Sequence, residues 1–186
     1  IADRFGVPER RLCVIYNGVD IERFQPLETP RDAAEPVWLF AGSGWRRKGL
    51  DTALAALAHG PGGARLHVAG RDATPAWKRM ATRLGVADRV RFLGPQSDMA
   101  THYRAVDGLL LPTRYDAFAN VCLEAAASGL PVVTSSANGS AELLREAGIV
   151  VEDPEDVQAF AAALDQLANP DLRAGLSRQA RAIAEL

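Results

Sequence analysis

The sequence predicts an α/β protein with a doubly wound, Rossmann-like parallel sheet. Three observations predict it. Short apolar runs bounded by Gly and Pro alternate with segments of helical period along the chain. That alternation repeats five or six times in order, the pattern of successive β/α units on a parallel sheet. The size also fits, because 186 residues with 48% hydrophobic and 24% charged side chains suffice for one compact domain with a sizeable core.

The elements follow in order. Ile1 to Gly6 reads as the end of a helix, and Leu12-Cys13-Val14-Ile15-Tyr16 as a first extended piece. A polar connector runs around Pro26, Pro30 and Pro36. Val37 to Ala41 reads as a buried strand and Leu50 to His59 as a helix. Leu66 to Ala69 is the next strand, followed by a helix from Pro75 to Leu84 that Gly85 closes. Val90 to Leu93 is a strand and Met99 to Ala105 a short helix. Leu109 to Leu111 is a strand ended by Pro112, and Asn120 to Ser128 a helix stopped by Gly129. Pro131 to Thr134 is a strand, Ser140 to Glu146 a helix ended by Gly148, and Ile149 to Val151 the last strand. Two helices finish the chain, Glu155 to Ala168 and Asp171 to Glu185, the second opened by Pro170. We expect a β/α core over roughly 17–168 and a C-terminal helix over 169–186, in one unit spanning 1–186.

Composition narrows the function classes. A net charge of −2 leaves no electrostatic footprint for nucleic acid, so local groups must hold any anionic ligand. Cys13 and Cys122 lie in apolar runs without metal-type spacing, which predicts a reduced, cytoplasmic protein. No run approaches the ~20 apolar residues that span a bilayer, and no signal-peptide pattern opens the chain. Membrane contact is therefore expected to be peripheral at most. Both ends fall inside helical pattern, which reads as a fragment of a longer protein. His59, His67 and His102 lie apart, so no nucleophile–histidine–acid set is visible. No Gly-x-Gly-x-x-Gly opens the first β/α unit, which argues against a dinucleotide oxidoreductase.

In doubly wound sheets, ligands sit beyond the carboxyl ends of the strands. The loop after the first buried strand is Gly42-Ser43-Gly44-Trp45-Arg46-Arg47-Lys48-Gly49. Its early glycines let the backbone approach a ligand, and its three cations lead into a helix N-terminus, so a diphosphate would fit. A solvated basic loop is the plainer alternative. The loop after Leu111 runs through Asp116, Ala117, Phe118 and Ala119 to a helix start at Asn120. Its N–H groups from Phe118 to Val121 are expected to be free for an anion. Glu124, just over a turn inside that helix, needs a partner on an otherwise apolar segment. Ribose hydroxyls would serve, as would a nearby backbone group or an arginine. Asp116 could accept from sugar hydroxyls or be an ordinary turn aspartate. Gly70-Arg71-Asp72 after one strand could flank a base or phosphate, and Gly94-Pro95-Gln96 after another could offer backbone groups to a base edge. Ser140 reads as a helix cap.

Tyr16-Asn17-Gly18-Val19-Asp20, Phe24, Pro26, Lys48-Gly49-Leu50-Asp51, Val68-Ala69-Gly70, Val90 to Gly94, and Glu124-Ala125 with Gly129-Leu130-Pro131-Val132-Val133 occur in one order. Together they resemble the carboxy-terminal, donor-binding lobe of the retaining group 1 glycosyltransferases of GT-B architecture. The Gly-Ser-x-x-x-Arg-Lys-Gly loop looks most like lipopolysaccharide core glucosyltransferases acting on heptose. The resemblance implies transfer of a sugar from a nucleoside diphosphate, with UDP-glucose the expected donor, to a hydroxyl of lipopolysaccharide or another cell-surface glycan. It implies an acceptor-binding amino-terminal lobe outside this chain, and chemistry without a metal or other cofactor. Lys48, with Arg47, would neutralise the diphosphate, Glu124 would bind the ribose, and Phe118, Ala119, Asn120 and Val121 would hold diphosphate and sugar. Lys48, Asp116 and Glu124 are the catalytic candidates. Gly42, Ser43, Arg71, Gly94 and Gln96 complete the donor site. Three departures bear on the donor. Ser43 stands where an arginine is common, Asp116 replaces the first glutamate of a Glu-x7-Glu pair, and Ala117-Phe118-Ala119 replaces Gly-Phe-Gly. A nucleotide-sugar-binding module without catalysis and a nucleotide-sugar epimerase of the same architecture are the alternative readings.

Overall fold

The computed structural model describes residues 2–28 and 35–186. Ile1 and Pro30, named above, lie outside the described residues. A short helix α1 (Ala2–Phe5) is followed by a 3-10 turn, Glu9–Arg11. Six strands then alternate with helices. They are β1 (Val37–Ala41), α2 (Leu50–His59), β2 (Arg65–Ala69), α3 (Pro75–Arg83), β3 (Val90–Gly94), α4 (Met99–Arg104), β4 (Gly108–Leu111), α5 (Asn120–Ala127), β5 (Val132–Ser135), α6 (Ala141–Leu144), β6 (Gly148–Val151), α7 (Val157–Gln166) and α8 (Pro170–Ala184).

The strands form one parallel sheet in the order β3-β2-β1-β4-β5-β6, so the chain winds outward one way from β1, then crosses back to wind the other. This is the doubly wound order, and it puts a crevice at the reversal point between β1 and β4. β1, β4 and β5 are buried along their whole length, which their runs of Val, Leu, Phe and Trp require. Trp38, Phe40, Leu109 and Leu110 are fully buried in the core between the helix layers.

Several boundaries differ from expectation for physical reasons. Leu12–Tyr16 joins no strand and lies exposed, with Val14 75% and Ile15 85% accessible. Cys13, expected in an apolar setting, is exposed with it, whereas Cys122 is buried. The helix expected over Ser140 to Glu146 shrinks to α6, and Ser140 is not its side-chain cap. The Ser140 hydroxyl donates instead to the Asn138 side-chain oxygen, 2.9 Å away.

Candidate functional site

The site is assembled from three loops that leave the carboxyl ends of β1, β4 and β5. In the basic loop, Gly42 adopts φ 116°, and a Cβ there would come within 2.7 Å of Lys48 Cε. Lys48 therefore runs over a bare backbone, 7% exposed, and delivers its ammonium inward rather than into solvent. Gly49 has φ 78°, and a Cβ on it would sit 1.9 Å from the Pro112 carbonyl oxygen. The close approach locks the basic loop to the loop after β4. Arg47 O accepts from Arg114 N at 2.8 Å, and Arg114 makes a bidentate pair with Asp51 at 2.8 and 3.0 Å.

Asp116 is the hub. One carboxylate oxygen accepts from Lys48 Nζ at 3.0 Å and Arg47 Nη1 at 3.2 Å. The other accepts from the Phe118 N–H at 3.2 Å. Burial pushes this carboxyl up, but Lys48, Arg47 and the Phe118 N–H outweigh it and hold it below the usual carboxylate range. Asp116 thus makes the Asx-turn bond of a turn aspartate and pairs with two cations besides. It occupies the place between cations and backbone N–H that an anion would take.

The loop after β5 contributes Asn138, a residue the sequence did not single out. It is buried, and its side-chain oxygen accepts from Ala119 N at 3.2 Å and Ser140 N at 3.2 Å. Its amide donates to Thr134 Oγ1 and toward Cys122 Sγ. The expectation of four free N–H groups from Phe118 to Val121 is therefore corrected. Asp116 and Asn138 take the first two, and Asn120 and Val121, the opening residues of α5, are left to offer theirs. Burial pushes the Cys122 thiol beneath them up to about 11, so it stays a neutral packing group.

The segment Tyr16-Asn17 covers the α5 entrance. Asn17 Nδ2 donates to Asn120 Oδ1 at 2.8 Å, Tyr16 OH donates to Glu142 at 2.7 Å, and the Tyr16 and Phe118 rings lie 5.7 Å apart. A cavity of ≈ 250 Å³ opens here between Ile15, Tyr16, Phe118 and Gly139.

Glu124 is half-buried on α5, and neither an arginine nor a backbone group is its partner. The phenol of fully buried Tyr103 donates to its Oε2 at 2.8 Å. Ser43 and Arg71 meet through the Arg71 N–H on Ser43 Oγ at 3.2 Å. Asp72, expected to flank a base or phosphate, instead accepts from Gly44 N at 2.8 Å and Trp45 N at 3.0 Å, filling loop amides that an anion could have used. Gly94 has φ 72° and its carbonyl accepts from Gly70 N. Gln96 folds back onto Leu93 O at 2.7 Å and pairs with His102, so it does not reach the charged cluster by any hydrogen bond. Lys48, Arg47, Asp116 and Phe118 are brought together by hydrogen bonds, while Ser43 pairs with Arg71, Gln96 with His102 and Glu124 with Tyr103, none of these bonds reaching that cluster. A larger cavity of ≈ 710 Å³ lies elsewhere, beside Arg104, Val106 and Leu130 at the amino ends of β4 and β5, on the edge opposite these loops.

Among the described residues, no helix is long and apolar enough to cross a membrane, and no three His, Cys, Asp or Glu side chains are grouped to hold a metal ion.

With that geometry in place, comparison with known proteins is informative. Residues 35–169 match the family described as Glycosyl transferases group 1. A D-inositol 3-phosphate glycosyltransferase of Geodermatophilus obscurus is 34% identical over 213 residues, covering 99% of this chain and 46% of that protein. The lipopolysaccharide core biosynthesis glycosyltransferase LpsE of Rhizobium meliloti is 35% identical, covering 82% of this chain and 45% of its own length. Among solved structures, WaaG, a glycosyltransferase involved in lipopolysaccharide biosynthesis, superposes with a TM-score of 0.86 at 26% identity, over 99% of this chain and 55% of that one. HepE of Anabaena, solved with UDP and glucose, gives 0.85 at 26% identity, over 98% and 54%. The chain spans about half the length of the curated relatives it matches.

Proposed function

The chain belongs to the group 1 glycosyl transferases, and from that premise we propose that it is the donor-binding lobe of a retaining hexosyltransferase. The observation that carries this reading is the Asp116 carboxylate. It bridges a buried ammonium, a guanidinium and a helix-entry N–H, and so marks a ready-made anion site at the switch point of the sheet. A donor diphosphate takes that place, with Lys48 and Arg47 supplying the counter-charge and the Asn120 and Val121 N–H groups completing the cradle. Preorganised donors of this kind stabilise the charge that develops on the departing diphosphate without a metal ion. Glu124 binds the ribose, and the sugar lies toward Phe118 and Ala119.

UDP-glucose is the proposed donor, supported by the likeness to HepE, which was solved with UDP-glucose, and to LpsE and WaaG, described in lipopolysaccharide synthesis. The acceptor hydroxyl, of lipopolysaccharide or another cell-surface glycan, docks on a second, amino-terminal lobe of the longer protein at the cytoplasmic side of the membrane. Closure of the two lobes then excludes water from the reaction.

The test is thermal stability of the chain with UDP, UDP-glucose, UDP-N-acetylglucosamine, GDP-mannose, ADP-glucose and NAD. A ligand at ~100 times its dissociation constant adds ~2.7 kcal/mol, which for a domain of this size raises the melting temperature by roughly 5–11 °C. A shift confined to uridine nucleotides supports the proposal. A response to NAD alone, or none to any nucleotide, overturns it.

A further inference from the structure

We propose that Tyr103 is the positioning residue for Glu124, fixing that carboxylate so that one oxygen is committed to the protein and the other is presented to a nucleoside ribose. The inference rests on the donor-lobe reading and adds to it a residue that does not touch the ligand.

Tyr103 is the fifth residue of α4, on a different β/α unit from Glu124. It is fully buried, with its ring edge-on to Phe24 at 5.7 Å between centroids. A buried phenol needs a partner, and this one has two acceptors within reach. They are Glu124 Oε2 at 2.8 Å and the Val121 carbonyl oxygen at 3.2 Å. Both acceptors belong to the opening turns of α5, the helix whose first N–H groups face the anion site. The phenol therefore ties the carboxylate to the end of the helix that receives the ligand.

Glu124 Oε2 is engaged by the phenol, while among the described residues Oε1 has no bond to another side chain. A carboxylate with one oxygen anchored has lost most of its rotational freedom before ligand arrives. A hydroxyl that binds the other oxygen then incurs less ordering cost. Burial and the neighbouring Glu124 push the Tyr103 phenol well above its ordinary range, so at neutral pH it is protonated and donates to the carboxylate.

Tyr103→Phe is the test, because it removes one oxygen and keeps the ring packed on Phe24. Binding of UDP and of 2′,3′-dideoxy-UDP to the chain is measured by calorimetry, with Glu124→Gln and the double variant completing a cycle. The parent chain is expected to prefer UDP by about tenfold, the worth of one hydrogen bond to a charged group. In Tyr103→Phe that preference falls below about threefold, while dideoxy-UDP binds as in the parent. In the Glu124→Gln background, Tyr103→Phe changes the preference no further, because it acts only through that carboxylate. A merely structural role would weaken both nucleotides alike, and that result overturns the inference. So does an unchanged preference in Tyr103→Phe, or a parent chain that binds both nucleotides equally. A parent chain that binds neither nucleotide fails the donor reading itself, and this inference falls with it.

Discussion

Replacing Asp116 by Asn separates the resident carboxylate from the cations it neutralises and leaves the rest of the loop in place. Asn keeps an oxygen for the Phe118 N–H but removes the charge that faces Lys48 and Arg47. The two legs differ in weight. The Lys48 side chain is 9% exposed and that of Asp116 16%, whereas Arg47 is 49% exposed. An exposed pair is worth at most ~1 kcal/mol, and breaking a fully buried one costs ~3–5 kcal/mol because a charge is left behind. The Lys48 leg lies nearer the second case and the Arg47 leg nearer the first. Allowing for the water that still reaches Asp116, the loss at pH 7 is about 2–3 kcal/mol, a fall in melting temperature of roughly 4–12 °C. The sign with pH follows from the depressed carboxyl. Its stabilisation is present above the unfolded value of ~3.9 and is lost as pH falls through the lower folded value. Parent and variant should therefore begin to converge in melts as pH falls below about 4. Pyrophosphate supplies a second readout. It should stabilise the variant more than the parent, since it need not displace a resident carboxylate. A variant that melts within about 1 °C of the parent at pH 7, and gains no more from pyrophosphate, would refute the reasoning.

Two further substitutions address the ligand directly. Lys48→Ala should weaken nucleotide-sugar binding by at least ~1.5 kcal/mol, the scale of one charge-assisted bond, and an unchanged calorimetric affinity would remove Lys48 from the site. Glu124→Gln should weaken UDP and UDP-glucose by the same factor, because the ribose is common to both; a loss confined to the sugar nucleotide in parallel titrations would make Glu124 a sugar contact instead.

The sheet was legible in the sequence because its signals are local. β1, β4 and β6 are short apolar runs, and α2, α3 and α5 end within two residues of a glycine. Leu12–Tyr16 carries the same apolar signal and still forms no strand. A strand needs a neighbour as well as a pattern, and the sheet closes its order at β3 and β6 without it.

The chemistry was only half legible, for a different reason. Lys48, Asp116 and Glu124 could be picked out because an ionisable side chain beside a helix start or on an apolar segment is conspicuous along the chain. What each does is set by partners far away in sequence. Asp72 reaches the loop amides across 28 positions, Asn138 reaches Ala119 across 19, and Tyr103 reaches Glu124 across 21. None of the three is unusual where it stands, since a turn Asp, a loop Asn and a helix Tyr each have ordinary local roles. Together they fix how much of the proposed anion site is open. Asp72 and Asn138 close backbone N–H groups that the sequence left free, and Asp116 holds the cations. On the proposed donor-lobe reading, a ligand here must therefore bring enough charge to displace a carboxylate. A diphosphate, with its charge spread over several oxygens, meets that condition better than a single carboxylate or a neutral sugar. This selectivity comes from what already occupies the site, and it is visible only once the three loops are folded against one another.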